Sequence, residues 1–156
     1  MSRRLANAFS SRWRVASNPC NLLLRRVESS SSASSSTTTT TLATTHVFTQ
    51  PQVDAFCQLT SDTNPIHKGA NAIVPGILSA SLFPSLISSH FPGSIYASQT
   101  LAFRQPISVD EPLEVNLSSR GARHGLMQFT CTIRKTDSGG AHAVDGTAIV
   151  KLPNES

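Results

Sequence analysis

The chain has 156 residues, 38% hydrophobic and 14% charged, enough for one domain with an apolar core. Its formal charge of +4 is lopsided: residues 1–28 hold six arginines and one acid, whereas the remainder holds seven Lys/Arg against eight Asp/Glu, a net of −1. The basic character therefore gives no reason to expect a nucleic-acid partner for the folded part, and no apolar run approaches the roughly eighteen residues of a membrane span.

Residues 1–28 place Leu5, Phe9, Trp13, Val15 and Leu22–Leu24 between arginines and are followed by SSSSASSSTTTTTLATT at 29–45. A Ser/Thr tract buries too little apolar surface to offset chain entropy. Residues 1–45 are therefore expected to be an organellar transit peptide and disordered linker, mitochondrial by the early arginines, with a plastid address as the alternative. Cys20, Cys57 and Cys131 have no metal or disulfide spacing, and those in the 46–156 domain are expected to be buried free thiols.

Order is expected from His46. In Phe48-Thr49-Gln50-Pro51-Gln52-Val53, Thr49 is a candidate N-cap and Gln52 its capping-box partner; Pro51 falls in the first turn, and Phe48 and Val53 can staple the entry. Val53, Phe56, Cys57 and Thr60 then share one helical face, which ends before Asn64-Pro65. A second helix follows Pro75-Gly76, from Ile77 through Ile87. It is apolar on nearly every side, as buried helices are, with Pro84 expected to bend it. The remainder alternates as strands: Ile95, Ala97, Gln99, Leu101 and Phe103; Leu113, Val115 and Leu117; Met127, Phe129, Cys131 and Ile133; and a last one from Ala141 to Leu152. Turn residues separate them. One apolar face per strand indicates an antiparallel sheet packed on one side, and with a lone buried helix the class is α+β, the sheet wrapped around the helix.

Asp62-Thr63-Asn64-Pro65-Ile66-His67 sets a carboxylate and an imidazole five residues apart in a proline-fixed turn. Two readings stay open: the pair converges on one small group such as water, or Asp62 and Asn64 only cap backbone N–H groups. Gly76 opens the second helix, where unpaired N–H groups suit a carbonyl oxygen, or where a glycine only allows the tight entry turn. His46, His90, His124 and His142 lack zinc spacing, so no metal is expected. Ser79 and Ser81 read as packing residues, and Arg104, Arg120 and Arg123 as solvated or as a landing patch for an acidic or phosphopantetheine-bearing partner.

SDTNPIH is similar to the signature of the MaoC-like (R)-specific enoyl hydratases and 3-hydroxyacyl dehydratases. GILSASLFPSLISSHFPGSIY resembles that family's central helix, SQTLAFRQPISVDEPLEV its following strand–turn–strand, and AVDGTAIVKLP its closing strand, so the resemblance covers roughly residues 46–153. It implies a single hotdog fold, usually a homodimer, with Asp62 and His67 catalytic, the Gly76 N–H on the thioester carbonyl and Asn64 of the family's turn in a supporting, substrate-binding role. It implies no cofactor and a substrate carried on acyl carrier protein or CoA. Joined to the N-terminal segment, it implies a mitochondrial 3-hydroxyacyl-[acyl carrier protein] dehydratase of type II fatty-acid synthesis. The alternatives are an (R)-specific enoyl-CoA hydratase of β-oxidation, which would carry a peroxisomal address that Pro-Asn-Glu-Ser does not supply, and a catalytically silent assembly subunit. Three departures stand out. Only KGANAIVP separates His67 from Gly76, where the family has a longer stretch with a short helix. Pro75 replaces a usual histidine, and Pro84 replaces a frequent serine.

Overall fold

The computed structural model describes residues 39–153, Ser138 excepted. The expected transit segment up to residue 38 and Cys20 lie outside them. Strand β1 (Thr40–Val47) leads into helix α1 (Gln50–Thr60) and a 3-10 turn (Pro65–His67). Helices α2 (Gly76–Ala80) and α3 (Leu82–His90) follow, then β2 (Ile95–Phe103), β3 (Pro112–Arg123), β4 (Leu126–Lys135) and β5 (His142–Lys151). The strands form one antiparallel sheet in the order β1-β3-β4-β5-β2. Its inner face wraps α3: Phe83, Leu86 and Ile87 pack with Leu113, Val115, Leu117, Phe129, Cys131 and Ile133 in one core. Cys57 and Cys131 are buried and free, as expected; burial pushes the Cys131 thiol up to about 12, which leaves it unreactive.

Three expectations need correction. Residues 40–45 are not disordered linker but most of β1, paired with β3 from Thr40↔Ser119 to Val47↔Pro112. Thr is β-branched and suits a pleated surface; the edge of β3 supplies the backbone partners, and Leu42 alone plunges into the core. The boundary at residue 45 thus falls inside a strand. On the outer face the tract continues a hydroxyl row across all five strands, Thr41, Ser118, Thr130, Thr147 and Thr100. The last two hydroxyls lie 2.7 Å apart.

The second helix is divided at Ser81 rather than bent at Pro84. Proline lacks the N–H that would reach Ala80, and its ring crowds that carbonyl, so the turn before it opens; Pro84 sits in the first turn of α3, where no N–H is missed. Nor is the helix buried on every side. Ile77 is 61% exposed, and Ser81, Ser85 and Ser88 continue the uncovered strip.

In β2 a bulge between Tyr96 and Ser98 breaks the expected alternation. Tyr96, Gln99 and Leu101 register with the inward residues Val150 and Ala148 and with Gly146, whereas Ile95 and Ala97 are exposed.

Gly146 shows why β5 needs glycine mid-strand. A Cβ there would fall onto the backbone carbonyl of Thr100 and lie 3.2 Å from Leu101 Cδ2, a close approach of two backbones that only Gly allows. Gly146→Ala is expected to lower stability by about 1–3 kcal/mol, read as a lower denaturation midpoint with faster amide exchange in β2 than in β4.

Candidate active site

Helix α1 carries the first site residue at its end. Its start is built as the sequence indicates: the Thr49 N–H donates to Gln52 Oε1 at 2.9 Å, and Phe48 and Val53 are buried beneath. The helix closes at Ser61 in the left-handed conformation (φ 57°), and the Asp62 N–H returns to the Cys57 carbonyl at 2.9 Å. The chain then enters the 3-10 turn through Asn64, whose Oδ1 accepts the Ile66 N–H at 3.3 Å. Asp62 Oδ1 accepts the Asn64 N–H at 2.9 Å.

The capping bonds of SDTNPIH are present, and Asp62 reaches His67 as well. One Asp62 oxygen makes the Asx turn, and the other, Oδ2, lies 3.4 Å from His67 Nε2. The His67 ring is 8% exposed and Asp62 34%. His67 Nδ1 is 2.6 Å from the Ile73 carbonyl; a carbonyl only accepts, so Nδ1 carries the hydrogen and Nε2 of the neutral ring keeps a free lone pair beside the carboxylate. That leaves an acceptor nitrogen and an acceptor oxygen 3.4 Å apart, two groups able to take up and return a proton.

The short stretch after His67 acts directly on the imidazole. The Ile73 N–H donates to Ile66 O (2.9 Å) while Ile73 O takes the His67 ring, and Val74 N–H donates to Ile107 O (2.8 Å). Ile73 was invisible to sequence reasoning because it acts through its backbone carbonyl.

Gly76 begins α2 behind Pro75. A Cβ at Gly76 would come within 2.9 Å of Phe103 Cε1, so the missing side chain leaves room for the aromatic ring at the end of β2. Gly76 and His67 line one cavity of about 420 Å³, walled by Ile66, Val74, Ile77, Phe103 and Ile107. Ser79 is fully buried in its wall, its hydroxyl donating to the Gly76 carbonyl at 2.7 Å. Asp62 opens instead into an adjoining groove with Cys57, Thr63 and Lys68, so the Asp62–His67 contact stands between the two spaces. The groove is the larger of the two, but the apolar cavity is the one that meets both His67 and Gly76. Asn64 points its side chain back into the turn and lines neither space.

Arg104, at the cavity mouth, pairs with Asp145 (Nε–Oδ2 3.2 Å), which also accepts from His142 Nδ1 at 2.7 Å. These bonds, that from His142 foremost, hold the Asp145 carboxyl below its usual range. A depressed acid stabilises the fold above the ordinary carboxylate pKa of about 4 and loses that contribution as pH falls through its lower folded value. Asp145→Asn should therefore melt slightly below the parent at neutral pH and together with it in strong acid. Among the described residues no cluster suited to a metal ion occurs, and no helix is long and apolar enough to cross a membrane.

No protein-family model matches the chain. Individual proteins do. A mitochondrial 3-hydroxyacyl-[acyl-carrier-protein] dehydratase of Arabidopsis thaliana is 34% identical over 146 residues, 85% of this chain and 87% of that protein. Its counterpart in Solanum lycopersicum is 32% identical over 126 residues, 72% and 75%. The (R)-specific enoyl-CoA hydratase of Aeromonas caviae is 37% identical over 117 residues. A solved (R)-hydratase of that organism superimposes with a TM-score of 0.67 over 73% of this chain and 95% of its own. The chain belongs to the MaoC-like hotdog family of 3-hydroxyacyl thioester hydro-lyases. The helical segment of this chain is divided at Ser81, and its first residue, Gly76, lines the same cavity as His67.

Proposed function

We propose that this chain is an (R)-3-hydroxyacyl-[acyl carrier protein] dehydratase of mitochondrial type II fatty-acid synthesis. The observation that carries the reading is the contact of Asp62 Oδ2 with the lone-pair nitrogen of His67, next to an apolar cavity that begins at Gly76. The acyl chain occupies the cavity, and the thioester carbonyl accepts the Gly76 N–H, which as a first-turn donor has no partner within the helix. The polarised thioester acidifies Cα. The Asp62–His67 pair takes the Cα proton and returns a proton to the departing 3-hydroxyl. One C–H and one C–O bond break, the C2–C3 double bond and water form, and the pair ends as it began. Asn64 keeps the turn in shape, and no cofactor is needed.

The organelle and the carrier are supported by the two plant relatives, both named as mitochondrial acyl-carrier-protein dehydratases, and by the Arg-rich start of the chain. A homodimer is supported by β2, an edge strand of the sheet whose neighbourhood exposes Ile77, Ile95 and Phe103. The Aeromonas relative favours a second reading, an (R)-specific enoyl-CoA hydratase with the same chemistry on CoA. Assaying residues 39–156 on 3-hydroxyacyl thioesters of both carriers separates them. A kcat/KM at least about tenfold higher on acyl carrier protein supports the first reading, a tenfold preference for CoA the second, and turnover of neither makes the chain a silent subunit. Residues 1–38 fused to a fluorescent protein should enter mitochondria; a plastid or cytosolic signal overturns the address.

A further inference from the structure

We propose that Gln50 is a positioning residue for His67, tying the His67 backbone to the first turn of α1 so that the two ends of one helix fix both members of the Asp62–His67 pair. The inference rests on the functional reading above for its effect on catalysis, though not for the tie itself. Gln50 Nε2 donates to the His67 carbonyl at 2.9 Å, seventeen residues away, and to Asp54 Oδ1, also at 2.9 Å. An amide nitrogen has two hydrogens, and both are used. The reverse orientation would set the Gln50 carbonyl oxygen against two acceptors, so Asp54 also fixes which way the amide faces.

The tie matters because of what it holds. His67 ends a 3-10 turn of three residues, a weak element on its own, and its carbonyl has no partner inside that turn. At the other end of α1, the Asp62 N–H is pinned to the Cys57 carbonyl. Helix α1 is thus a bracket: its last turn sets Asp62, its first turn sets His67, and the 3.4 Å between Oδ2 and Nε2 depends on both. Capping does not explain Gln50, since Thr49 and Gln52 already close the helix start.

Two variants test it. Gln50→Met keeps length and removes the donor without adding charge. Gln50→Lys restores a donor that can reach the same carbonyl. For Gln50→Met we expect kcat to fall about tenfold or more with KM within about twofold, since displacing a reacting group by an ångström costs up to about a hundredfold. The melting temperature should stay near the parent's, and Gln50→Lys should recover most of kcat. By NMR, the His67 Nδ1 hydrogen should exchange with solvent faster in Gln50→Met than in the parent. Unchanged kcat together with unchanged exchange overturns the proposal. If the parent itself turns over neither carrier's thioester, the functional reading fails, and the exchange comparison still decides whether Gln50 holds His67.

Discussion

Asp62→Asn is expected to lower kcat on a 3-hydroxyacyl thioester by about 10²–10⁴-fold while leaving the fold intact. Asparagine is the informative replacement because Asp62 has two jobs. Its Oδ1 accepts the Asn64 N–H and shapes the turn, which an amide oxygen also does; its Oδ2 faces His67 Nε2, where an amide cannot take a proton. Asp62→Ala would lose both and confuse them. His67→Gln should give a loss of the same order, and the double variant little more than either single one, because the two groups act on one proton path. The measurement is kcat and KM for the four proteins beside their melting temperatures. Full activity in Asp62→Asn would make Asp62 a cap and nothing else.

Lys135→Met is expected to cost about 3–5 kcal/mol of stability, the usual consequence of leaving one member of a buried ion pair alone. Lys135 Nζ lies 3.1 Å from Glu111 Oε2, with side chains only 11% and 14% exposed. The same oxygen accepts the Ser108 N–H at 2.9 Å. Without the ammonium, that carboxylate keeps its burial and loses its counter-charge. For a domain of this size the loss corresponds to a melting temperature lower by on the order of 10 °C or more. Adding Glu111→Leu should recover much of it, since an apolar pair of similar volume has no charge to desolvate. The effect should also reach the site: Glu111 anchors the loop through Ser108, and Arg104, Gln105, Pro106 and Ile107 of the same loop wall the cavity. A drop below 1 kcal/mol would mean that water reaches Glu111 freely.

The parts legible in the sequence are those where a local rule coincides with the tertiary demand. Leu113, Val115 and Leu117 and the partner row Met127, Phe129, Cys131 and Ile133 alternate cleanly because both strands lie in the interior of the sheet, with one face on the core. Thr49, Gln52, Phe48 and Val53 announce the start of α1 because capping is a matter of neighbours. Where a distant partner decides, the pattern misled. Thr40–Thr45 looks disordered until β3 offers its edge. The bulge after Tyr96 reverses which side of β2 faces inward, and no residue there announces it. The site divides along the same line. Asp62, Asn64 and His67 lie in one hexapeptide, so their candidacy was readable. Their two-way use, cap and contact at once, was not, because it depends on which oxygen points where. Gln50 stood in view only as a helix starter; its bond to the His67 carbonyl spans seventeen positions and leaves no periodic trace. Phe103 beside Gly76 is likewise a product of folding alone.

The central claim is that one pair, Asp62 and His67, handles both the proton and the hydroxyl from one side of a thioester. The most direct measurement runs the reaction backwards in deuterium oxide: a trans-2-enoyl thioester is incubated with residues 39–156, and the product's configuration at C3 and the face of deuteration at C2 are read. The account predicts an (R)-3-hydroxyacyl product with deuterium and hydroxyl added to the same face. Unreacted enoyl thioester, an (S) product, or addition to opposite faces would contradict it.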